Sequence, residues 1–129
     1  MDHKTNPVGN NIYASLYCVP SEVLKNNEYI EQVMRGAARV EGFKIVGGVR
    51  REFTPHGLTI CFIISESHII GHTYPEYGYM DLNLSTCRGP DSGEKALEYI
   101  LKKIKHKKEI VTRFKSIKDI NLLESNVRE

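Results

Sequence analysis

Between Phe43 and Cys87 the chain is a succession of β-rich runs broken by tight-turn signals, and this stretch restricts the fold more than any other. "FKIVGGVRREF" (Phe43 to Phe53) leads through "TPHG" into "LTICFIISESHIIGHTY" (Leu58 to Tyr74), and "PEYG" leads from there into "YMDLNLSTC" (Tyr79 to Cys87). Pro and Gly supply turn chemistry in both connections, and connections so short join antiparallel neighbours. In the last run Leu82 and Leu84 alternate with Asp81, Asn83, Ser85 and Cys87, so the strand has one apolar and one polar face.

The flanks complete the pattern. "NIYASLYC" (Asn11 to Cys18) alternates like a first strand. In "VPSEVLKNNEYIEQVMRGAARVEG" the period changes: Ile30, Val33, Met34 and Ala37 fall on one helical stripe that Gly42 would end. "DSGEKALEYILKKIK" puts Leu97, Ile100, Leu101 and Ile104 on a second stripe, opened by a capping-box-like pair, Asp91 and Glu94. "EIVTRF" (Glu109 to Phe114) reads as the last strand. The 129 residues suffice for one core, so a single domain over 1–129 is expected: a two-layer α+β sandwich, antiparallel sheet below, both helices on one face. The other face, with Asp81, Asn83, Ser85 and Cys87 and with Tyr13 and Tyr17 as candidates, is left for water or a second subunit, and the two readings weigh equally.

Lys and Arg number 18 against 16 Asp and Glu, a net charge of +2 that gives no reason to expect nucleic acid or a membrane as partner. The start "MDHKTNPVGNN" is polar and no apolar run is long enough to span a bilayer, so a cytoplasmic protein is expected. Cys18, Cys61 and Cys87 lack CxxC spacing and read as free thiols.

Single residues say less. His68 and His72 share a strand face but stand about 13 Å apart at about 3.3 Å per residue, too far for one metal, and no metal site is expected. Ser67 has no GxSxG around it. A thiol and imidazole pair of Cys87 and His72 across "PEYG" stays open, because spacing does not fix the register. Lys102 to Lys108 reads as a solvated helix end, and Gly47 with Gly48 as a bulge or a close backbone approach.

Together, "ISESHIIGHTYPEYGY" followed by "STCRG" resembles the bacterial and archaeal S-adenosylmethionine decarboxylases, with looser similarity from about Gly9 to Ile110. The resemblance implies a proenzyme that cuts itself between Glu66 and Ser67 into chains 1–66 and 67–129, turning Ser67 into a pyruvoyl group used in place of pyridoxal phosphate. The Ser67 hydroxyl would attack the Glu66 carbonyl to give an ester, and loss of the Ser67 α-proton would expel Glu66 and leave dehydroalanine, which hydrolyses to pyruvoyl. The family pattern assigns that α-proton to His72, an imidazole being able to take a proton near neutral pH. In the mature enzyme the pyruvoyl carbonyl would hold the substrate amine as a Schiff base, and Cys87 would return a proton after carbon dioxide leaves. Phe53 matches an adenine-stacking aromatic, Glu76 a ribose-binding glutamate, and Tyr74 stands where the family has Trp or Phe.

The family's sheets pack face to face in an αββα homodimer, which would cover the open face. Two positions depart from the pattern: "GNN" (Gly9 to Asn11) replaces Gly-x-His, and Asp81 replaces a small apolar residue. Asp81 fits a basic partner or water, or the distal ammonium or guanidinium of another substrate. The sequence thus points to decarboxylation of S-adenosylmethionine for spermidine synthesis. Ornithine or arginine decarboxylation by the same chemistry is the alternative, and a non-catalytic regulatory homologue stands behind both.

Overall fold

The computed structural model describes residues 8–65 and 67–117. In chain order these form β1 (Val8–Tyr17), α1 (Ser21–Lys25), α2 (Asn27–Glu41), β2 (Ile45–Glu52), β3 (Leu58–Ile64), β4 (Ser67–Tyr74), a 3-10 turn (Pro75–Tyr77), β5 (Tyr79–Thr86), α3 (Glu94–Lys103) and β6 (Lys108–Ile117). The strands make one antiparallel sheet in the order β2-β3-β4-β5-β1-β6.

Alternation decides which side chains meet the helices. Ile12, Ala14 and Leu16 of β1, Leu58, Ile60, Phe62 and Ile64 of β3, and Met80, Leu82 and Leu84 of β5 are all buried. They close over Ile30, Met34 and Ala37 of α2 and Leu97 and Ile100 of α3, the stripes that the sequence presents. Gly71 in β4 belongs to the same face: a Cβ there would lie 3.2 Å from the Met34 methyl carbon, so α2 sits directly over it. The domain is the two-layer α+β sandwich that the sequence indicates.

Three local expectations change. Leu58 to Tyr74 is not one strand but two, β3 and β4, paired antiparallel so that Ile64 faces Ser67. Burial shows the reversal, since it falls on even positions through Ile64 and on odd positions from Ile69 onward. One strand keeps one phase. Second, Asn26 splits the first helical segment, its side chain accepting a hydrogen bond from the Tyr29 amide at 3.1 Å as the N-cap of α2. Third, the Asp91 and Glu94 capping box does not form. The cap position of α3 is Gly93, which has no side chain to offer, and Glu41 from the end of α2 accepts instead from the Lys95 and Ala96 amides at 2.6 and 3.1 Å.

Gly47 and Gly48 fulfil both readings offered for them. The β2–β3 register shifts between Ile45 and Gly47, and a Cβ on Gly48 would come within 2.8 Å of the Cys61 carbonyl oxygen. The sheet's other face carries Tyr13, Tyr17, Ile63, Tyr74, Ile110 and Phe114, all exposed, around a polar centre.

Candidate active site

The functional side chains lie on β4 and its neighbours, and they divide between the two ends of that strand. At the first end β4 begins with Ser67 at φ 145°, a conformation that L residues with a Cβ rarely adopt. The Ser67 Oγ lies 3.4 Å from Nδ1 of His68, and His68 Nε2 lies 2.9 Å from Asn83 Oδ1. Asn83 Nδ2 in turn donates to Asn11 Oδ1 at 2.8 Å and to the Ile12 carbonyl at 3.1 Å. The β4–β5 register pairs His68 with Ser85, so Cys87, two residues further on, belongs to this same end. Glu66 lies outside the described residues.

The second end is a recess of about 270 Å³ lined by Phe53, His56, Gly57, Thr59, His72, Thr73, Tyr74 and Glu76. The "TPHG" and "PEYG" turns stand side by side there because β3 and β4 are ladder neighbours, with Leu58 opposite Thr73. His72 Nδ1 is 2.9 Å from the Thr59 hydroxyl, and His56 Nε2 is 3.3 Å from a Glu76 carboxylate oxygen. Phe53 and Tyr74 present exposed rings at the rim. Pro75 starts the 3-10 turn that aims Glu76 inward, and Gly78 ends it with its carbonyl accepting from the Val19 amide at 2.9 Å.

Beside the recess, Asp81 pairs with His72 in the ladder and accepts a hydrogen bond from the Tyr79 hydroxyl, with Ser15 Oγ 2.9 Å from that hydroxyl. Burial, reinforced by the Asp81 carboxylate, holds the Tyr79 hydroxyl above its ordinary pKa of 10.0, so it stays a donor. The Tyr17 and Tyr74 rings pack on Tyr79 with centroids 5.1 and 5.6 Å away.

The family model described as S-adenosylmethionine decarboxylase matches residues 10–116. The chain belongs to the S-adenosylmethionine decarboxylase family.

Its similarity to an S-adenosylmethionine decarboxylase proenzyme of Thermotoga petrophila is 40% identity over 78% of each chain. A proenzyme of the same name from Archaeoglobus fulgidus is 37% identical over 76% of this chain and 88% of its own. The crystal structure of the adenosylmethionine decarboxylase from Aquifex aeolicus superposes with a TM-score of 0.78 at 28% identity, covering 87% of this chain and 91% of that one.

Placed on this S-adenosylmethionine decarboxylase fold, Phe53, Tyr74, Glu76 and His72 converge on one recess. Ser67 and Cys87 do not join them. Ser67 and His72 are five residues apart on one strand, about 16 Å at about 3.3 Å per residue. The pairing of His72 with Cys87 that spacing left open is ruled out within one chain, since the register sets His72 against Asp81. Asp81 is in hydrogen-bond contact with the hydroxyls of Ser15 and Tyr79. Sequence reasoning also passed over His56 and Thr59, and it met Asn11 only as a departure from the family pattern and Asn83 only as part of the polar face. The even spacing of Thr59 and Cys61 in β3 was the available signal for Thr59; the others needed the register.

Proposed function

We propose that this protein is a self-processing decarboxylase of S-adenosylmethionine whose prosthetic group is a pyruvoyl made from Ser67. The observation that carries the reading is Ser67 itself: a nucleophilic hydroxyl, at a strand start, on a backbone held at φ 145°. Such a conformation costs about 1–3 kcal/mol, and converting the preceding amide to an ester frees the torsion that stores it. The strain therefore favours the first step of cleavage.

The residues present fit the group. The pyruvoyl carbonyl would supply the electron sink that lets carbon dioxide leave. Cys87, at the same end of the ladder, is positioned to hold the proton that the product needs, and Ser85 and Asn83 line the sheet beside it. Phe53 and Tyr74 offer rings to stack on adenine, and Glu76, braced by His56, offers a carboxylate to ribose hydroxyls. The recess is open at a rim of exposed rings, as a site finished by another surface would be.

That surface is a second copy of the chain. The open face exposes Tyr13, Ile63, Ile110 and Phe114, large side chains that a second copy would cover. Two copies related by an axis lying between their sheets and across β4 set the Ser67 end of one against the recess end of the other. In this homodimer the His72 of the second copy takes the Ser67 α-proton, and each substrate lies between chains. The product, carrying an aminopropyl group, suits spermidine synthesis in the cytoplasm.

Gel and intact-mass analysis of purified protein should show chains 1–66 and 67–129, the latter blocked by pyruvoyl, together with carbon dioxide release from S-adenosylmethionine. Ser67→Ala should stay whole and inactive. A single full-length chain that still releases carbon dioxide sinks the proposal.

A further inference from the structure

We propose that His68 is the base that takes the Ser67 hydroxyl proton in the ester-forming step of self-processing, with Asn83 and Asn11 as positioning residues; this rests on the self-cleaving reading above. The argument starts from a backbone carbonyl. The Ile12 oxygen can only accept, so the Asn83 group 3.1 Å from it is the NH2 group, which also donates to Asn11 Oδ1 at 2.8 Å. The Asn83 oxygen is thereby turned to His68 Nε2 at 2.9 Å and must receive its proton. A neutral imidazole with its hydrogen on Nε2 has a bare lone pair on Nδ1. That nitrogen faces the Ser67 hydroxyl at 3.4 Å, a long contact of the kind that tightens on the way to a transition state.

Within the chain the other histidine does not reach this proton, and the second copy's His72 acts on the α-proton at the later stage. His72 is held by Thr59 at 2.9 Å and stands about 16 Å away along the strand. Across the ladders His68 faces Ile63 on β3 and Ser85 on β5, neither of which offers it an ion pair. Its two ring nitrogens are thus committed, one to Asn83 and one to Ser67.

The step balances without any added reagent. The Oγ proton passes to Nδ1 as Oγ bonds to the Glu66 carbonyl carbon and the carbonyl π pair moves onto its oxygen. When that oxygen re-forms the carbonyl, the C–N bond breaks, its electrons go to the Ser67 nitrogen, and the imidazolium returns the proton there. A peptide bond has become an ester and an amine. Removal of the Ser67 α-proton comes later, so the two histidines handle different protons at different stages.

The experiment follows freshly translated chains on gels from time zero, with hydroxylamine, which cuts esters under conditions that spare amides, as probe. His68→Gln should mature about 10²- to 10⁴-fold more slowly than wild type, the usual worth of a general base, with no hydroxylamine-sensitive species. His72→Ala should instead accumulate a chain that hydroxylamine cuts before residue 67. Asn83→Leu should be slow in the manner of His68→Gln, and Asn83→Asp, which keeps an oxygen for Nε2–H, should recover most of the rate. Circular dichroism identifies any variant that has not folded, and the Asn83 pair then decides. A His68→Gln chain that matures at the wild-type rate, or that stores the ester, overturns the assignment; Asn83→Leu and Asn83→Asp maturing alike overturns the positioning role. A wild-type chain that stays whole overturns the self-cleaving reading and takes this one with it.

Discussion

The two ends of β4 are built on opposite plans. The Ser67 end holds a strained backbone and a linear chain of hydrogen bonds from Asn11 through Asn83 and His68 to a nucleophile. The Tyr74 end is a cup, in which two turns set rings and a carboxylate around empty space. On the proposed function, one end breaks a bond in the protein itself and the other holds something from outside. Neither alone is a decarboxylase site, and about 16 Å of rigid strand separates them in one chain. A sheet cannot fold back to join its own ends, so the difference between them is itself an argument for a second copy.

The largest effect should come from breaking that pairing. Ser67→Ala has no bond to rearrange and His72→Ala lacks the α-proton acceptor, so each expressed alone should remain uncut. Co-expressed with distinguishable tags, they form mixed dimers in which the intact Ser67 of one chain meets the intact His72 of the other. The His72→Ala chain should then be cleaved and the Ser67→Ala chain should not. Mixed dimers that form and stay uncut would show that His72 works within its own chain, and the lesson drawn from the two ends would fail.

A smaller effect should separate the cup from the nucleophile. Stacking on an aromatic ring is worth about 1–3 kcal/mol per base, so Phe53→Ala should raise KM for S-adenosylmethionine by about 10- to 100-fold. Glu76→Gln should act in the same direction. Neither residue touches Ser67, so both variants should mature at the wild-type rate, read by gel, and steady-state assays of the matured protein should place the loss in KM. Slow maturation of Phe53→Ala would mean that the ends are coupled during processing.

How these ends could be read from the sequence follows from what each depends on. The helix-facing core needs only local periodicity, and the stripes through Ile30 and Met34 and through Leu97 and Ile100 are where that periodicity puts them. The recess was partly legible, because "TPHG" and "PEYG" announce turns and strand neighbours bring turns together. The reversal between Ile64 and Ser67 was written as a change of burial phase, but Ser65 to Ser67 carries neither Pro nor Gly to mark it. The hydrogen-bonded chain at the Ser67 end depends on register across β1, β5 and β4, and register is a property of the whole sheet. The cap that Glu41 gives α3 is likewise a contact between distant segments, so the local box of Asp91 and Glu94 was the natural and mistaken expectation.

The smallest expected effect is on stability in acid, and it bears on the Ser67 end through β1. Asn10, buried next to Asn11, donates at 2.8 Å to Glu94, which also receives two bonds of 2.7 Å from Arg113. The Arg113 guanidinium holds the Glu94 carboxyl below its ordinary value of 4.5 against the cost of burial. A carboxyl with a depressed folded pKa contributes stability that is complete above its unfolded value and is lost as pH falls through the folded one. Melting temperature should therefore be flat above about pH 5 and decline below it, with the decline steepest under 4.5. The Glu94 and Arg113 side chains are 30% and 40% exposed, so the pair is worth about 0.5–1 kcal/mol after solvent screening. Arg113→Gln should lower the melting temperature at neutral pH and flatten the acid decline. An acid decline unchanged in Arg113→Gln would shift its origin to Glu31, held down by Arg50 and Arg35 beside β2.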